Sequence, residues 1–153
     1  MIANIDSISY NERQVLAPHS MGYRIKLLSQ LLGRNFQERL DSYGLTPFHW
    51  VVLCCLWSED GLATSAIGAK LQQVGGTLTG VLDRMSERGF IIRKRDLGDR
   101  RMVRIWLTDT GKELKAVLPP IALDVREQAM AGFSDREREQ FSQLIDRAVA
   151  NLS

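Results

Sequence analysis

A chain of 153 residues, 44% hydrophobic and 25% charged, is long enough to form one domain, 1–153, around a core of its own. A net charge of +2 excludes a strongly polyionic protein, and two cysteines that are sequence neighbours, Cys54 and Cys55, exclude a disulfide scaffold. Residues 1–14 carry no cationic segment followed by an apolar core, and the longest apolar stretch, 50–57, is too short to span a bilayer, so a cytoplasmic protein without membrane contact is expected.

Residues 1–17 show no clear period and read as an arm or a short helix. From about 18 to 43, Ile25, Leu28, Leu32, Phe36 and Leu40 recur every three or four positions, one face of a long amphipathic helix closed by Gly44. Thr46-Pro47 restarts a helix with a side-chain cap and a first-turn proline. Residues 48–57 are apolar nearly all round, which makes this second helix central, and residues 58–61 end it. A short helix over about 64–72 turns Ile67 and Leu71 inward, and the chain breaks near 73–75. The next helix, about 76–88, carries Leu78, Leu82 and Met85 on one side and stops at Gly89. Two short helices around a tight break are the arrangement of a helix-turn-helix.

After Gly89 the period shortens. Residues 90–94 are β-prone, Asp96-Leu97-Gly98-Asp99 is turn chemistry, and 102–107 alternates, with Val103, Ile105 and Leu107 opposite Met102, Arg104 and Trp106. This is a two-stranded hairpin, a wing. Helix resumes after Leu107, capped by Thr108 or by a competing box at Thr110 and Glu113, with a kink expected at Pro119-Pro120. Ser134 and Glu137 form a capping box for the last helix. The expected fold is mainly α with a small β-hairpin, in the order α-α-α-α-β-β-α-α.

Charge is concentrated where the wing lies. Between 84 and 104 stand Arg84, Arg88, Arg93, Lys94, Arg95, Arg100, Arg101 and Arg104 against Glu87, Asp96 and Asp99, a window of +5 in a chain of +2. Clustered cations of this kind suit neutralisation of phosphates.

These residues resemble the MarR family of bacterial transcription factors (multiple antibiotic resistance regulators). The resemblance covers roughly 20–150. Its most specific part is the wing, a D-x-R followed by a strand and L-T-x-x-G, here Asp99-Arg100-Arg101 through Leu107-Thr108-Asp109-Thr110-Gly111. Leu82-Asp83-Arg84-Met85 with Gly89 resembles the end of the family's recognition helix, and Leu45-Thr46 with Trp50, Val52 and Leu53 its second helix. The resemblance implies a homodimer whose helical dimerisation region comprises 18–44 and 111–153. The second helix and a winged helix-turn-helix DNA-binding lobe occupy 46–110.

On that reading the recognition helix enters a major groove of double-stranded DNA, with Thr77 and Thr79 facing base edges. Ser65 is placed for a phosphate at the start of the preceding helix, and Arg84 and Arg88 follow one turn apart. For Arg84 an ion pair within the domain is the competing role. Arg101 is the residue expected in a minor groove, and Arg95 and Arg100 near phosphates. Asp99 is expected to orient the wing by pairing with Arg101 or with Arg93. The helix also carries Gly75, Gly76 and Gly80 where the family often has bulkier side chains. Gly80 either lets backbone approach DNA, or marks sparse base readout, or is merely tolerated.

Family members often bind small phenolic or aromatic acids in a crevice beside the dimer helices. The matching material here is His19, Tyr23, Arg24, His49 and Trp50, with core packing of the tryptophan and a solvated arginine as the alternative. Cys54 and Cys55 suggest either a redox sensor or, in so apolar a stretch, structural cysteines. No phosphate loop, HExxH, CxxC or nucleophile elbow is present, and His19 and His49 make no metal-ligand pattern. Neither an enzyme nor a cofactor or metal site is expected. A winged helix used for protein contact is the remaining alternative, and the +5 window argues against it.

Overall fold

The first long helix begins where Ser20 accepts a hydrogen bond from the Tyr23 amide, and it sets the frame of the molecule. The computed structural model describes residues 9–72 and 76–153; the break expected near 73–75 lies outside them. Helix α1 is Tyr10–Val15, opened by a Ser9–Glu12 capping box, and α2 is Met21–Leu40. Only the lower half of the α2 apolar face is buried, at Phe36 and Leu40, while Ile25 and Leu28 stay exposed. A 3-10 turn, Asp41–Tyr43, follows, and Gly44 takes the left-handed conformation, φ +62°, that ends it.

Helix α3, Pro47–Ser58, starts with the expected Thr46 cap, but its reciprocal partner is a histidine. The Thr46 hydroxyl accepts from the His49 amide at 3.3 Å while His49 Nδ1 accepts from the Thr46 amide at 3.1 Å. Val52, Leu53 and Leu56 then lie at the centre of the core. Helix α4 is Thr64–Lys70 and α5 is Gly76–Glu87. Leu78, Val81, Leu82 and Met85 of α5 all point inward. Gly89 stops the helix at φ +73°, with the Phe90 amide donating back to the Met85 carbonyl.

The wing has three strands rather than two: β1 (Leu62–Ala63), β2 (Ile91–Arg95) and β3 (Val103–Leu107), ordered β1-β3-β2 and antiparallel. Ile91 pairs with Leu107, Arg93 with Ile105 and Leu62 with Ile105, so Ile91, Ile105 and Leu107 bury one face against the helices. Thr108, not Thr110, caps α6 (Asp109–Ala129), accepting from the Gly111 amide at 3.1 Å. The helix is continuous through Pro119 and Pro120. Helix α7, Asp135–Leu152, opens on the Ser134–Glu137 box and buries none of its residues. Its first turn is tied to α6 by Arg138, which reaches Glu127 at 2.5 Å and the Met130 carbonyl at 3.1 Å. No helix among the described residues is long and apolar enough to cross a membrane.

Candidate nucleic-acid interface

Burial of one side of α5 leaves the opposite side to solvent, and Thr77 and Thr79 stand there exposed. Gly80 follows Thr79, and a side-chain carbon added to it would meet no atom within 4 Å. Packing within this chain therefore does not demand a glycine. Ser65, in the first turn of α4, is exposed as well.

The eight cations of the basic segment divide into two groups. Three are engaged inside the fold. Arg88 donates to the carbonyls of Tyr43, at 2.9 Å, and Gly44, and its guanidinium stacks 5.2 Å from the Phe90 ring centre. It closes the end of the 3-10 turn after α2 instead of projecting outward as its spacing from Arg84 suggests. Arg93 pairs with Asp83 of α5 at 2.6 Å, tying β2 to the recognition helix. Arg104 bonds Asp96 at 2.5 Å. Among the described residues, Arg84, Lys94, Arg95, Arg100 and Arg101 make no ion pair or side-chain hydrogen bond, and all five are exposed.

Asp99 orients the wing by a route different from the expected ion pair. Its Oδ1 accepts the Arg101 backbone amide at 3.0 Å and pairs with neither Arg101 nor Arg93 through a guanidinium. Asp96 is the second organiser, and sequence reasoning missed it. Hydrogen bonding from Arg104, then from the Asp99 and Gly98 amides, holds its carboxyl below the usual range. The signal was present in Asp96-Leu97-Gly98, where an aspartate two residues before a glycine commonly folds onto its own backbone.

The L-T-x-x-G segment acts as a junction between wing and helix. Leu107 is buried, and the Thr108 amide and hydroxyl donate to the Phe90 and Gly89 carbonyls at 3.1 and 2.6 Å. A side-chain carbon on Gly111 would overlap the Phe90 carbonyl oxygen, and the Gly111 carbonyl accepts the Trp57 indole N–H at 3.0 Å. Asp60 completes the junction by accepting the Leu107 amide at 2.8 Å.

The five residues expected to hold a small acid do not converge. His19, Tyr23 and Arg24 are exposed along the start of α2, while His49 is sealed beneath α3 with Nδ1 consumed by the cap. Of the five, Trp50 lines a cavity of about 430 Å³ between α2, α6 and α7. Its walls include Leu32, Phe36, Val125, Met130 and Phe141, with Arg126 the one charged side chain. Trp50 meets Phe36 and Trp57 edge-on at 5.5 and 5.7 Å.

The neutral His49 ring that accepts at Nδ1 carries its proton on Nε2, which is buried and has no hydrogen-bond partner among the described residues. Desolvation first, then Arg84 and Arg88, lowers its pKa from 6.5. A group whose pKa falls on folding contributes stability that is present above the unfolded value and lost as pH drops below it. Thermal unfolding from pH 7.5 to about 5 should therefore show a falling Tm, and His49→Asn should flatten that dependence. An identical slope in the variant would remove His49 as its source. Cys54 and Cys55 are half-buried, and burial pushes the Cys54 thiol up to about 11. That is the reverse of what a reactive thiolate needs.

Comparison with known proteins agrees with this architecture. The MarR family model matches residues 45–103. The transcriptional regulator TtmR of Methylorubrum extorquens is 32% identical over 128 residues, which are 84% of this chain and 63% of TtmR, so the chain spans somewhat less than two thirds of that relative. YkoM of Bacillus subtilis, an HTH-type transcriptional regulator, is 31% identical over 147 residues, 92% of either chain. Staphylococcus aureus MepR, solved as a DNA complex, superimposes with a TM-score of 0.80 at 22% identity, over 88% of this chain and 98% of MepR, a likeness of fold. The winged helix-turn-helix, the junction at Gly111 and these relatives together place the chain in the MarR family of DNA-binding transcriptional regulators.

Proposed function

We propose that two copies of the chain bind one palindromic operator, each placing α5 in a major groove and Arg101 of its wing in the adjacent minor groove, and so act as a repressor by occupying the site. The observation that carries the DNA contact is the set of five unengaged cations around an acid-organised wing. Arg84, Arg95 and Arg100 contact phosphates in this reading, and Thr77, Thr79 and Ser65 complete the contact. Arg88 and Arg93 act from behind, holding α5 and β2 in place.

Dimerisation is supported by α7. None of its residues is fully buried in its own chain, Leu144, Ile145, Val149 and Leu152 are all exposed, and so are Ile25 and Leu28 of α2. Large contiguous apolar surface calls for a partner, and a second copy presents the same surface. The regions 18–44 and 111–153 thus serve association, and 46–110 serves DNA. Selection from a random duplex library should enrich an inverted repeat with half-sites about one helical turn apart, bound by two chains. Enrichment of a single unrepeated half-site by one chain would contradict the dimer.

The cavity favours a small effector, with Trp50 as its aromatic wall and Arg126 as the partner for an acid. Titration with benzoate-like acids should quench Trp50 fluorescence and release the duplex. A flat response across acidic and neutral aromatic compounds would leave the cavity a packing defect.

A further inference from the structure

Two acids sit inside a wing that faces polyanionic DNA, and charge alone argues against both. Asp99 is accounted for by its bond to the Arg101 amide. Asp96 has a different set of partners. We infer that Arg104 and Asp96 form a latch that presets the wing tip against the segment leading into α4, which makes both of them positioning residues for DNA binding. This inference rests on the DNA-binding reading above.

The latch is continuous. Arg104 Nη1 donates to the Gly61 carbonyl at 2.9 Å while its Nε donates to Asp96 Oδ1 at 2.5 Å. Asp96 Oδ2 accepts the amides of Gly98 and Asp99 at 3.0 and 2.9 Å. Main-chain bonds from Asp96 to Met102 and from Met102 to Asp99, both 2.9 Å, close the tip, and Asp99 then holds the Arg101 amide. Gly61 at the other end is fixed in turn: its φ is +75°, and a side-chain carbon there would fall on the Trp106 ring. An unbroken series of bonds therefore runs from the start of the helix-turn-helix to the backbone of the minor-groove arginine. The forked guanidinium reaches the two anchor points from separate nitrogens, which the single nitrogen of an ammonium cannot reproduce. A tip ordered in advance spares the complex the entropy of ordering it on binding.

Arg104 thus carries charge in the basic segment without touching phosphate, and Asp96 strengthens DNA binding although it is an acid. Asp96→Asn and Arg104→Lys test this on the duplex enriched from a random library by the wild-type chain and on a scrambled duplex of equal length. Asp96→Asn deletes a negative charge, so electrostatics alone predicts tighter binding to both duplexes. The latch predicts binding to the enriched duplex weaker by about fivefold or more, with binding to the scrambled duplex unchanged or tighter. Arg104→Lys keeps the charge and is expected to lose a similar factor, and the double variant no more than the larger single loss. An unchanged Tm in each variant separates positioning from folding. Binding of the enriched duplex by Asp96→Asn at wild-type strength or better, or losses that add in the double variant, would overturn the latch alone. Failure of the wild type to enrich any duplex would overturn the DNA reading and the latch with it.

Discussion

Arg101→Ala is expected to weaken binding to the enriched duplex at least tenfold, a loss of ~1.4 kcal/mol or more, with no change in Tm. The side chain is exposed and makes no ion pair or side-chain hydrogen bond among the described residues, so its removal should cost the folded state little. Its backbone amide is held by Asp99 Oδ1 at 3.0 Å, so the side chain leaves the wing tip from a set point. A narrow A·T-rich minor groove concentrates negative potential, and a guanidinium inserted there gains more than one beside an open phosphate. Fluorescence anisotropy on a labelled duplex measures the loss. Arg100→Ala, on the adjacent position, should cost less and do so equally on enriched and scrambled duplexes, because phosphate contacts carry no sequence information. Equal, small losses for both variants would remove Arg101 from the minor groove.

Gly111→Ala is expected to be strongly damaging at the junction between the wing and α6. The added carbon collides with the Phe90 carbonyl, which also accepts the Thr108 amide, and comes 3.1 Å from Leu107 Cδ2. Relief requires α6 to withdraw from the wing, which strains three bonds at once: Thr108 to Phe90, Thr108 to Gly89 and Trp57 to the Gly111 carbonyl. Overpacking of this kind costs about 1–3 kcal/mol, and each kcal/mol lowers Tm by roughly 2–4 °C in a chain of this size. Gly80→Ala provides the opposite case, since a methyl there meets nothing and an alanine suits a helix interior better by about 1 kcal/mol. It should raise Tm slightly. If it also weakens binding to the enriched duplex, the α5 backbone approaches DNA at that point. Calorimetry that ranked the two alanines alike would contradict this account of the junction.

Most helices were legible because their end signals are local. The caps at Thr46 and Ser134 and the glycine stops at 44 and 89 satisfy backbone groups within a few residues, so a short window of sequence contains them. Strand β1 was not legible, because Leu62 and Ala63 become a strand only when β3 supplies a pairing edge some 40 residues on. The same distinction separates the arginines. Their clustering marks the interface, but it does not say which of them project. Arg88 is claimed by a carbonyl 44 residues away and Arg93 by an aspartate on α5. For a related reason, the five residues expected to hold a small acid are not brought together. Helical spacing puts His49 and Trp50 side by side in sequence, yet the cap turns His49 inward while Trp50 faces the cavity.

Salt dependence of wild-type binding to the enriched duplex tests the central claim most directly. The five cations of the basic segment that make no ion pair or side-chain hydrogen bond among the described residues give ten in a dimer, eight of them outside the minor groove. With six to eight of these on phosphates, affinity should fall by roughly 10³–10⁴ between 50 and 200 mM salt, along a straight line of log affinity against log salt. Binding that is absent at low salt, or that barely changes across this range, would contradict the assignment of 46–110 to DNA binding.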